Sequence, residues 1–82
     1  GTRPWSALDR ALSNPNARQV YFMTDGWPNY WRNGSTSRTV SHYVNQNNSR
    51  TDLTKIHTIN AGPNQSWLQD FSSRGGGTYK RV

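Results

Sequence analysis

Strand-like runs set far apart constrain this chain more than any other feature. Residues 19–24, Gln-Val-Tyr-Phe-Met-Thr, are β-branched, aromatic and apolar on consecutive positions, the pattern of a strand covered on both faces. Residues 54–59 read as a second strand. Residues 78–82 read as a third, with Thr78, Lys80 and Val82 on one side and Tyr79 and Arg81 on the other. Gaps of about 30 and about 18 residues separate them, too long for hairpins and long enough for helical crossovers.

The gaps carry helical patterns. In residues 4–13, Trp5, Leu8 and Leu12 fall at i, i+3 and i+7 with Ala11 beside them, and Asn14-Pro15-Asn16 stops the helix. Residues 35–48 hold a weaker pattern, Val40, Tyr43 and Val44, with an Asn-rich end. A third helix carries Trp67, Leu68 and Phe71, is capped by Asn64 or Ser66, and ends at Gly75-Gly76-Gly77. The order α-β-α-β-α-β predicts an α/β fold with a three-stranded parallel sheet joined by βαβ crossovers, all in one domain over residues 1–82.

Composition narrows the chemistry. The chain has 82 residues and no Cys, which excludes a disulfide framework and a thiolate zinc site. No apolar run approaches the roughly 18 residues of a membrane-spanning helix, so no membrane insertion is expected. The chain begins with Gly1 and is expected to be an excised or processed piece of a longer protein. Four acids, all Asp, stand against ten Lys and Arg, giving net charge +6. That balance fits either a soluble basic surface or an anionic partner, and the basic residues are spread singly along the chain.

Four motifs carry a resemblance. Residues 20–29, Val-Tyr-Phe-Met-Thr-Asp-Gly-Trp-Pro-Asn, resemble the strand and metal-site loop of a von Willebrand factor type A (integrin I-like) domain. Gly1-Thr2, followed by Ala7-Leu8 and Ala11-Leu12, resembles the Gly-Thr loop and helix before that strand. Ile56 to Gly62 resembles the family's next strand, and Trp67-Leu68 through Gly76-Gly77-Thr78-Tyr79 its closing helix and Gly-Gly-x-Tyr. The resemblance covers only the C-terminal half of such a Rossmann-like domain. The other half would carry the first strand and its Asp-x-Ser-x-Ser loop, a pattern absent from this sequence.

The resemblance implies a metal-ion-dependent adhesion site, in which Mg²⁺ at the C-terminal ends of the strands accepts a carboxylate from a partner protein. Thr2 matches the family's Thr ligand, and Asp25 matches the Asp that acts through a water. One hydroxyl and one carboxylate serve a strongly hydrated ion poorly, and Arg3 adds repulsion, so this chain alone is expected to bind Mg²⁺ weakly if at all. Simpler readings stand beside these: Thr2 as a helix N-cap, Asp25 as a turn former.

A second candidate is the loop with Trp27, Asn29, Tyr30, Trp31 and Arg32, whose aromatics beside an Arg suit a protein partner or stacked bases. They equally suit covering a bare sheet edge. Arg18, Arg32, Arg38, Arg50 and Arg74 could extend a nucleic-acid surface. Catalysis has little support: no Gly-x-Ser-x-Gly elbow occurs, and His57 falls mid-strand, where packing is its expected role. The function expected is therefore a non-enzymatic protein-interaction or self-association module, with basic nucleic-acid binding as the alternative. If the helices crowd one face of the sheet, one alternating set of strand residues is bare and the first strand is an edge. A homodimer through that face or edge then becomes the expected assembly.

Overall fold

The computed structural model describes residues 5–24, 34–63 and 66–82. Its elements run α1 (Trp5–Ser13), β1 (Gln19–Thr24), α2 (Thr36–Asn48), β2 (Lys55–Asn60), α3 (Ser66–Arg74) and β3 (Gly76–Arg81). The expected α/β fold is present, with one parallel sheet ordered β1-β2-β3.

Each helix forms for a local reason and docks by its apolar stripe. Trp5, Leu8 and Leu12 are the buried residues of α1. Ser35 caps α2, its hydroxyl accepting from the Arg38 amide at 3.2 Å, and Val40, Tyr43 and Val44 line the buried side. Trp67, Leu68 and Phe71 do the same for α3. All three stripes meet Phe22 and Ile56 in one core cluster, so every helix covers the same face of the sheet. Trp5 sits at its centre, stacking on Phe22 at 6.1 Å and Tyr43 at 5.9 Å, with Trp67 at 6.4 Å.

Buried polar groups fasten the connections. Asn47, at the Asn-rich end of α2, is buried and grips the backbone before β2. Its Nδ2 donates to the Thr54 carbonyl at 2.7 Å, and its Oδ1 accepts from the Thr54 amide at 2.9 Å. The Thr54 hydroxyl donates to the Ala17 carbonyl at 2.7 Å. Arg50 donates to the carbonyls of Leu12, of Asn14 at 2.7 Å and of Ala17 at 3.2 Å, satisfying the end of α1 and the turn after it. The Thr58 hydroxyl donates to the Leu68 carbonyl at 2.8 Å and ties β2 to α3.

The Gly run between α3 and β3 has two jobs. Gly75 donates its amide to the Phe71 carbonyl at 2.9 Å, closing the helix, and Gly76 takes a positive φ of 74°. Gly77 passes so close to β2 that a Cβ would collide with the Ile56 carbonyl and lie 2.9 Å from the His57 nitrogen. The pairing slips here: Ile56 faces Gly76, but Thr58 already faces Tyr79, so β3 carries an extra residue opposite His57.

The composition of β1 suggests a strand covered on both faces, and that is corrected: one alternating set is bare, as expected with the helices on one face, with Phe22 and Thr24 buried and Tyr21 66% and Met23 62% exposed. The physical reason is that alternate strand residues point to opposite faces, and all three docked helices lie on the Phe22 side. Element ends also shift by a residue or two, with β2 beginning at Lys55 and β3 at Gly76.

Candidate functional site

The adhesion-site candidates Thr2 and Asp25, and the loop residues Trp27, Asn29, Tyr30, Trp31 and Arg32, all lie outside the described residues. What is described at the C-terminal end of the sheet is Asn60, fully buried, with its amide already committed. Its Nδ2 donates to the Pro63 carbonyl at 2.8 Å, and its Oδ1 accepts from the Gly62 amide at 2.9 Å. Among the described residues no three His, Cys, Asp or Glu side chains cluster as a metal site would require.

Of the arginines named from sequence, Arg18 and Arg50 line one pocket together with Asp52, and Arg74 is on α3. Arg50 is turned inward onto carbonyls, Arg18 pairs with Asp52 at 3.2 Å, and Arg74 pairs with Asp70 at 3.4 Å on α3. Both ion pairs are exposed, so they contribute little to stability.

The features that stand out are a sheet face and an outer edge of β1 that no element covers among the described residues. On the face, the side chains alternate away from the helices: Tyr21 and Met23 from β1, Lys55, His57 and Ile59 from β2, and Lys80 from β3. The register sets Tyr21 beside His57, and Met23, Ile59 and Lys80 in the next row. Tyr21 stacks on the His57 ring with centroids 4.7 Å apart and planes 19° from parallel. Acids are absent from this face among the described residues: Asp9 and Asp70 are on helices, and Asp52 is in the loop before β2.

His57 clasps all three strands. Its Nδ1 accepts from the Thr78 amide at 3.0 Å, an interaction offered by the extra residue in β3. In the neutral ring the hydrogen is then on Nε2, which donates to Gln19 Oε1 at 2.9 Å. The Thr78 hydroxyl is also 2.9 Å from Nδ1, so Thr78, His57 and Gln19 have the outline of a nucleophile, base and orienting group. The Nδ1 lone pair, however, is already met by the Thr78 amide hydrogen, leaving it poorly placed to take the hydroxyl proton. The packing role expected for His57 holds: it is 8% exposed between its neighbours.

The edge is defined by hydrogen bonding. β1 pairs only with β2 among the described residues. The Arg18 carbonyl accepts from Lys55 at 2.8 Å and the Thr24 carbonyl from Ala61 at 2.9 Å, so even-numbered positions face β2. By alternation, the N–H and C=O groups of Gln19, Tyr21 and Met23 face outward. Beside them runs a groove of about 410 Å³ lined by Ala7, Leu8 and Ala11 of α1 and by β1. The edge position of β1 is expected from the sequence, but an apolar residue at each of positions 20–23 hides which side chains are bare. No protein-family model matches the chain, and neither a curated protein nor a solved structure matches it significantly.

Proposed function

We propose that the chain is a non-enzymatic interaction module that associates with a second copy of itself through the free edge of β1. The observation that carries this reading is the outer side of β1, which no other strand meets among the described residues and which carries no charge: Gln19–Met23 has no Lys, Arg, Asp, Glu or Pro to blunt it, in a chain of net charge +6. A twofold axis at Tyr21 sets Tyr21 opposite the partner's Tyr21, and Gln19 opposite the partner's Met23. The outward groups then form about six hydrogen bonds in an antiparallel pair. Arg18 falls opposite the partner's Thr24, so no like charges meet in the strand pair. Face-to-face stacking of two sheets, by contrast, brings Lys55 and Lys80 against their own copies. Charge therefore favours the edge.

Sedimentation at hundreds of micromolar tests this. The wild type is expected as a dimer. Met23→Pro removes one outward N–H without touching the ladder to β2, and is expected as a folded monomer. A wild type that sediments as a clean monomer overturns the proposal, as does a Met23→Pro variant that dimerises equally well.

On the resemblance to the C-terminal half of a von Willebrand A domain, the adhesion site is incomplete in this chain, with only Thr2 and Asp25 matching its ligands. A magnesium titration followed by NMR is expected to give no saturable shifts at these two residues below millimolar ion. Saturation there would establish a competent site.

A further inference from the structure

We infer that the uncovered sheet face is a platform for single-stranded nucleic acid, with a base stacking on Tyr21 and backbone phosphates meeting Lys55 and Lys80. This goes beyond self-association and rests on different observations, those of the face rather than the edge.

Charge points to the class of partner. Both ionised side chains on the face are cationic, and none of the described acids shares it. Shape and chemistry narrow it further. Tyr21 is 66% exposed although it stacks on His57, so a large part of the ring remains open to a planar base. The clasp of His57 by Gln19 and Thr78 fixes the ring that backs Tyr21, so the stack is held ready before a ligand arrives. Lys55, on β2, is one row before the Tyr21–His57 pair, and Lys80, on β3, is one row after it. The register places them four strand positions and one strand apart, about 14 Å. Phosphates on either side of a base stacked on Tyr21 thus each have a cation on their own side of the aromatic row. Stacking on a sheet-borne aromatic between backbone-binding cations suits unpaired bases, because a duplex keeps its bases stacked inside. The exposed Met23 and half-buried Ile59 extend the same surface with apolar area.

Fluorescence anisotropy with a short labelled oligouridylate or oligothymidylate at low salt is the test. The wild type is expected to bind with affinity that falls steeply as salt rises. Tyr21→Ala is expected to weaken binding about tenfold, while Tyr21→Phe retains it. Lys55→Gln with Lys80→Gln is expected to lower the salt slope by about 1.4, the release from two contacts to single-stranded phosphate. Arg10→Gln with Arg38→Gln removes equal charge from the helical side and is expected to leave that slope nearly unchanged. Circular dichroism checks that each variant is folded. Sedimentation separates the two readings, since Lys55→Gln with Lys80→Gln is off the β1 edge and is expected to self-associate as the wild type does while its oligonucleotide salt slope falls. The inference is overturned if no oligonucleotide binds, if Tyr21→Ala binds like the wild type, or if the helix-side pair loses as much as the lysine pair. Equal affinity for duplex, or tighter binding to anionic phospholipid vesicles, overturns it as well.

Discussion

Gly77→Ala is expected to strip β3 from the sheet, at a cost on the order of 4 kcal/mol. The added Cβ meets the Ile56 carbonyl and the His57 nitrogen, both backbone atoms of the central strand, which cannot turn aside as a side chain can. A chain this size has roughly 4–12 kcal/mol of stability in total, so one such collision can consume much of it. Gly76 is the internal control. It has a positive φ of 74° but open space around it, so Gly76→Ala costs only about 1 kcal/mol of backbone strain. In thermal unfolding, Gly76→Ala is expected to lower the midpoint by roughly 4–8 °C. Gly77→Ala is expected to abolish the cooperative transition or lower it several times further. Equal midpoints for the two variants would refute the close approach of β3 to β2.

The second large effect is at Trp5. Trp5→Ala is expected to destabilise the fold by roughly 3–5 kcal/mol, the range for emptying a buried aromatic site. Trp5 is 2% exposed and joins α1 to Phe22 of β1, Tyr43 of α2 and Trp67 of α3, so its loss opens the centre of the core. Trp5→Phe keeps a ring in the stack and is expected to cost clearly less. Tyr21→Ala, which loses only the stack on His57 at the exposed face, is expected to shift unfolding by about 1 kcal/mol. Urea unfolding of the three variants checks the order; a Trp5→Ala midpoint near that of Tyr21→Ala would contradict the packing described.

Much of the fold is legible along the chain because helix stripes and strand runs are local patterns. Trp5, Leu8 and Leu12 announce α1 by spacing alone, and 19–24 matches β1 residue for residue. Asn47 is the contrary case. As part of an Asn-rich tail it weakened the helical pattern, yet it is the buried clamp on Thr54. Its two partners are backbone groups seven residues away, and nothing in residue type distinguishes it from exposed Asn48. The candidate site was less legible for a related reason. Motifs point to Thr2, Asp25 and the Trp27–Arg32 loop, while the edge of β1 and the bare sheet face consist of ordinary strand residues. Their significance depends on what fails to pack against them.

By itself, the sequence determined the number, type and order of the elements, the parallel pairing their long separations require, and a cationic chain without thiols. These follow from periodicity, loop length and composition, all properties of neighbouring residues. Only the tertiary structure decided that Tyr21 and Met23 are bare while Phe22 is buried, that Gly77 must remain without a side chain, and that His57 joins three strands. An apolar strand offers two nearly equivalent faces, and the choice between them is made by where helices distant in sequence come to rest.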